Sequence, residues 1–174
     1  MHQPLAPTGF YHSLTLASLF FLFSILGWIL ETLSYLTMEG VFLNRSILLG
    51  PWIPLYGICG VLSVTMLHRF AKNPILAFCM NGLLYSVIGY LSDFTVQMIW
   101  HADLHKISQY FRPSLLPPFF ADAVFLGLIG CTCQYFIAPK WKQVTRKIPL
   151  WFLLCVCVLL GMLMLLDVFF AFYR

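Results

Sequence analysis

SLTLASLFFLFSILGWILETLSYLTM, residues Ser13–Met38, reads as one hydrophobic run with a single carboxylate, Glu31, inside it. The run is long enough to cross ~30 Å of hydrocarbon with some tilt. It continues well past the length of a signal-peptide core and has no small-residue cleavage site, so it reads as a retained span. A carboxylate at bilayer depth costs several kcal/mol unless it is partnered or faces water. Glu31 therefore marks a polar site by default. Shortly after it comes a turn that bears an arginine and is rich in Gly and Pro: Asn44-Arg45, then Gly50-Pro51-x-x-Pro54-x-Tyr56-Gly57-x-x-Gly60. Breakers of this kind persist at membrane depth only where backbone is buried in protein or lines a cavity.

Composition extends the membrane reading to the whole chain. Hydrophobic residues make up 61% of the 174 residues and charged ones 9%, and the mean hydropathy is +0.88. Soluble domains carry about 25% charged residues. The expected fold is all-α, a polytopic transmembrane helical bundle of about five spans, at 13–38, 51–67, 74–100, 118–137 and 149–173. These spans form a single membrane domain over 1–174. The second is short, because Pro54 either bends it or is its true start. Fourteen residues from Pro54 to Leu67 rise only roughly 21 Å. The connections, among them Ala138–Ile148, are too short for a nucleotide-binding domain, and no Gly-x4-Gly-Lys-Ser/Thr loop occurs.

The net charge of +4 gathers in short basic turns. That pattern suits an anionic membrane surface and excludes a nucleic-acid partner, which requires a basic stripe on a folded surface. With five spans, one side carries Arg69, Lys72, Lys140, Lys142, Arg146 and Lys147, and the other Arg45, Lys106, Arg112 and Arg174. Six against four places the N-terminus and Ala138–Ile148 in the cytoplasm.

Polar and small residues recur at helical spacing. Gly27, Glu31 and Ser34 share a face of the first span, with Trp28 beside it. Gly82, Ser86, Gly89, Asp93 and Gln97 form a stripe on the third span, expected to face the bundle interior. Gly127, Gly130 and Gln134 continue the pattern on the fourth. Asp122 suits a helix N-terminus. Asp167 reaches the interface or Arg174 and ranks behind the other carboxylates. Cys131-x-Cys133 and Cys155-x-Cys157 offer one good ligand per pair, because residues two apart on a helix point to nearly opposite sides. His101-x-Asp103-x-His105 matches no metal signature, so neither metal nor cofactor is expected.

The words Gly27-Trp28-x-x-Glu31, Asn44-Arg45 and Gly50-Pro51-x-x-Pro54-x-Tyr56-Gly57 resemble a bacterial membrane family. It is described as putative ABC-transporter type IV, or CmpB-like ABC transporter permeases. The match is strongest over Phe20–Gly60. Members carry an acidic residue in the third span, a place that Asp93 fills. They also carry a Trp-Asp-Tyr-Ser word in the following loop, where this chain departs with Trp100-His101-Ala102-Asp103.

The resemblance implies a small multi-pass transport component of the bacterial inner membrane, permease-like, of unspecified substrate and not an enzyme. Its partners are the lipid bilayer, a separate ATPase, and further membrane subunits or copies of itself. The expected buried polar site comprises Glu31, Asn44, Arg45, Tyr56 and Asp93. The expected packing positions are Gly27, Trp28, Gly50, Pro51, Pro54, Gly57, Gly60, Gly82 and Gly89. A competing reading keeps the same residues and gives the buried charges only a structural or regulatory role. An intramembrane enzyme stands behind both.

Overall fold

The computed structural model describes the backbone of residues 8–40, 42, 48–100 and 118–173. Side chains are described within these except at 8, 34–35, 38–39, 92–100, 118–123 and 172–173. Every regular element among these residues is helical. In chain order they are α1 (Thr8–Glu39), α2 (Pro54–Met66), a 3-10 turn (Leu67–Phe70), α3 (Pro74–Trp100) and α4 (Pro118–Thr132). A π segment (Cys133–Ile137), α5 (Ala138–Thr145) and α6 (Leu150–Tyr173) complete the order. Among the described residues, three stretches are long and apolar enough to cross a membrane: Gly9–Leu33, Pro74–Leu91 and Leu150–Ala171.

Helix ends follow local chemistry. α1 stops at Gly40, whose φ of 68° is the left-handed conformation that glycine adopts without strain. Its N–H closes the last turn on the Leu36 carbonyl at 3.0 Å. α3 starts at Asn73-Pro74, a side-chain cap followed by proline in the first turn. The Asn73 side chain accepts from the Leu76 N–H at 3.5 Å, a long bond.

Two boundaries differ from the sequence expectation. The second span was expected over 51–67 with Pro54 as a bend or as its true start; α2 begins at Pro54 and holds 13 residues. Residues before a proline avoid the helical region, and the amides of Trp52 and Ile53 are used elsewhere. Trp52 N–H donates to the Gly50 carbonyl and Ile53 N–H to the Ser24 carbonyl of α1, both at 3.0 Å. The second difference is the Ala138–Ile148 connection, of which Ala138–Thr145 is helix. That segment reads in the sequence as a short basic connection. The π segment directly before it changes the helix register where proline removes an N–H and crowds the preceding turn.

The chain clusters into two compact units, 1–61 with 138–174, and 62–137. In the first, Leu14, Phe21, Leu153 and Cys157 form a buried core, flanked by Ala17, Phe20, Ile148, Leu150, Leu160 and Met164. N-terminal residues of α1 thus pack with N-terminal residues of α6, and Phe21 lies beside Gly161. The two helices run in the same direction. Along α1, the first half of α2 approaches closely through glycine. A Cβ at Gly57 would meet the Phe20 carbonyl oxygen at 2.7 Å and the Ser24 hydroxyl. One at Gly60 would meet the Phe23 ring, and one at Gly27 the Tyr56 ring. Such small-residue contacts let helices associate where lipid supplies no hydrophobic drive.

In the second unit α3 packs along α4. Ala77, Asn81, Gly82 and Tyr85 are buried on α3, while Leu83, Val87, Tyr90 and Leu91 are exposed. Ser86 and Gly89 are half-buried.

Candidate functional site

The turn that leads into α2 takes part of its hydrogen bonding from another helix. Leu48 and Trp52 are buried, and Gly50 lies under the Trp52 indole, which a Cβ there would strike at 2.5 Å. Pro51 is exposed. The acceptor for this turn comes from α6. Asp167 takes the Leu49 N–H on Oδ1 at 2.9 Å. Its Oδ2 takes the Gly50 N–H at 2.7 Å and the Trp52 indole N–H at 2.9 Å. Asp167 is 8% exposed. A buried carboxylate is tolerable when donors saturate it, and hydrogen bonds to an ionised acceptor are about twice as strong as neutral ones.

Asp167 is thus a turn-holding carboxylate that the sequence reading ranked behind the others. The cost argument applied to Glu31 holds equally for a carboxylate inside α6. The Gly50-Pro51 turn also presents backbone donors. No local signal joins the two, because 118 residues separate Leu49 from Asp167.

Of the expected polar residues, Glu31 is half-buried on α1, as is Trp28. Tyr56 is half-buried and lies against Gly27, so these two expected positions are brought together. Asn44 and Arg45 lie outside the described residues, as do the side chains of Asp93, Gln97 and Asp122 and the His101–His105 segment. Gly82 is buried. Gly89 has nothing within 4 Å of an added Cβ, so no close approach requires glycine there.

A second polar centre lies in the other unit, on a residue that the sequence reading passed over. Asn81 is fully buried. Its Oδ1 accepts from the Ser63 hydroxyl at 2.6 Å. Its Nδ2 donates to the Ala77 carbonyl at 2.8 Å and to Gln134 Oε1 at 3.0 Å. Gln134 Nε2 donates onward to the Leu67 carbonyl at 3.1 Å, and the Tyr135 hydroxyl to the Ala71 carbonyl at 2.8 Å. The π segment therefore supplies two side chains that satisfy carbonyls at the end of α2 and its 3-10 turn, groups that lack helical partners. Gly130 makes room for Asn81, since a Cβ there would lie 2.7 Å from its side chain.

Among the described residues no group of His, Cys, Asp and Glu is arranged to hold a metal. Within α6, Cys155 is exposed and Cys157 buried, the opposite sides that their spacing implies.

Among curated proteins and among solved structures, nothing matches the chain. A family model does. Described as "Putative ABC-transporter type IV", it matches residues 18–172. That range takes in the glycine contacts of α1 and α2, the Asn81 centre and Asp167. The likeness first visible in Phe20–Gly60 thus extends over nearly the whole fold, and the chain belongs to the putative ABC-transporter type IV family.

Proposed function

We propose that this chain is a permease-like, non-enzymatic transport component of the bacterial inner membrane that works with an ATPase carried on another polypeptide. The observation that carries the reading is the family match over residues 18–172. The sequence has no P-loop, so ATP hydrolysis by that mechanism falls to a partner. In this reading the chain crosses the bilayer five times, with Lys140–Lys147 on the cytoplasmic side. Support comes from α1 and α6. They run the same way, and Asp167 near the end of α6 holds the turn that follows α1. That arrangement calls for an odd number of crossings. Five spans are few for a complete pathway, so further membrane subunits or copies of the chain complete it. Glu31 is the proposed working carboxylate, with Asn44, Arg45, Tyr56 and Asp93 as its sequence-based companions.

Purification in mild detergent with mass spectrometry tests the proposal. A stoichiometric P-loop ATPase, and ATP-dependent flux in vesicles that Glu31→Gln impairs without lowering protein level, are the expected results. Recovery with no ATPase would favour a structural or regulatory membrane protein. A specific observation favours that second reading: Asp167, Asn81, Gln134 and Tyr135 all direct their polar groups at the chain itself.

A further inference from the structure

We infer that α5 and the turn after it form a docking surface for the headgroups of anionic phospholipids. The inference rests on membrane placement and not on transport. The rotation of α5 is fixed by its inner face. Ala138 is 2% and Thr145 0% exposed. Between them the Trp141 indole N–H donates to the Ser18 hydroxyl of α1 at 2.9 Å. Ser18 is itself buried.

The outer face is cationic. Lys140, Gln143, Val144, Arg146 and Lys147 are exposed, and Lys142 is half-buried. Lys140, Val144 and Lys147 follow the i, i+4, i+7 spacing of one helical stripe, carried into the turn. It places one exposed aliphatic residue between two cations. A basic face with an apolar insertion is the pattern of a helix lying in the membrane interface.

Among the described residues of this unit, the cations have no carboxylate beside them. No Asp or Glu occurs between Asp122 and Asp167, nor before Glu31. Among the described side chains of this unit, the carboxylates are Glu31 and Asp167. Glu31 lies 13 residues beyond Ser18, roughly 20 Å along α1. Asp167 lies 17 residues beyond Leu150, roughly 25 Å along α6. Both exceed a physiological Debye length of about 8 Å. Four cations within residues 140–147 are therefore open to an external anion, as far as the described carboxylates of this unit go.

Continuity with the lipid-facing surface identifies that anion. α6 follows at once and opens with exposed Trp151 and Phe152, aromatic residues suited to headgroup depth. Leu154 and Val158 continue exposed along the same helix. A phospholipid can lay its acyl chain on this apolar surface while its phosphate meets the cations. Neither a free phosphate nor a soluble acidic peptide uses both features. Each juxtamembrane cation is worth enough to change lipid affinity several-fold.

The test uses the full chain in nanodiscs of phosphatidylcholine with phosphatidylglycerol, with retained lipids identified by native mass spectrometry. Phosphatidylglycerol should be enriched over phosphatidylcholine, and raised salt should weaken the enrichment. Lys140→Gln with Lys147→Gln, both at exposed positions, should reduce it by about tenfold or more. Lys140→Arg with Lys147→Arg should keep it. An unchanged melting temperature in pure phosphatidylcholine discs shows that the glutamine variant folds. Equal enrichment in native and glutamine proteins overturns the inference. So does a glutamine variant that keeps phosphatidylglycerol but loses a co-purifying ATPase, since the face would then belong to a protein. Thermal stabilisation by inorganic phosphate in phosphatidylcholine discs, equal to that from phosphatidylglycerol, also overturns it.

Discussion

Asp167 and Asn81 are both buried polar side chains among apolar helices, and they hold their surroundings by different means. Asp167 is an acceptor whose donors are two backbone amides and one indole. Asn81 is an amide whose partners include the side chains of Ser63 and Gln134. Backbone amides cannot be removed by substitution, so the demand on Asp167 is fixed by the turn. Side-chain partners can be replaced together with the group they serve. A buried donor left unpaired costs about 1–3 kcal/mol, whereas replacing both partners with apolar groups can be nearly neutral. The first centre is therefore a fixed requirement of the chain path and the second a tunable one.

The largest effect is expected at the first centre. Asp167→Ala takes the carboxylate from one buried donor, the Trp52 indole N–H, and from the part-buried Leu49 and Gly50 amides, and the expected loss is about 3–5 kcal/mol of stability. Asp167→Asn keeps the shape and one oxygen but turns an NH2 toward a donor, for about 1–3 kcal/mol. Thermal unfolding in nanodiscs checks both. An Asp167→Ala protein that melts like the native one would break the distinction between the centres. Next comes Gly57→Ala, which drives a methyl into the Phe20 carbonyl and the Ser24 hydroxyl. The expected cost is about 1–3 kcal/mol, read in the same assay.

The second centre should yield less when changed in concert. Ser63→Ala with Asn81→Leu removes that donor and acceptor together and leaves Gln134 Oε1 without its Asn81 donor, for an expected cost of about 1–3 kcal/mol. Asn81→Leu alone, which strands the Ser63 hydroxyl, should cost more than the pair. If the double variant unfolds as readily as Asp167→Ala, the second centre is a fixed requirement too. The smallest effect belongs to Gly89→Ala. Open space around that position predicts neutrality, or a gain of up to about 1 kcal/mol from helix propensity. A marked loss would show that Gly89 meets a partner, such as a second subunit.

The same contrast explains what could be read from residues alone. Helix existence was legible because apolar runs and prolines are local signals. Pro74 and Pro118 do open helices, and Pro149 immediately precedes one. Gly27, Gly57 and Gly60 were legible as close-packing positions, though not their individual neighbours. The true start of α2 was left open, because either proline could open the helix and only the use of the Trp52 and Ile53 amides decides. The helix at Ala138–Thr145 was not read, because its basic residues mark a connection between spans and a π segment leaves no compositional mark. Asp167 was undervalued because its partners lie more than a hundred residues away. Asn81 was missed because it sits beside the chosen stripe on α3 and not within it. Asn44 and Arg45 lie outside the described residues, as does the Asp93 side chain, so the expected companions of Glu31 stay sequence-based.

The most direct measurement is hydrogen–deuterium exchange of the peptide that covers Leu48–Ile53, in native protein and in Asp167→Asn, both in nanodiscs. Bonded to the carboxylate, the Leu49 and Gly50 amides should exchange slowly in the native protein. In the variant they should exchange about tenfold faster or more, with α3 and α4 unchanged, because the opening is local. Equal exchange at Leu49 and Gly50 in the two proteins would contradict the role given to Asp167.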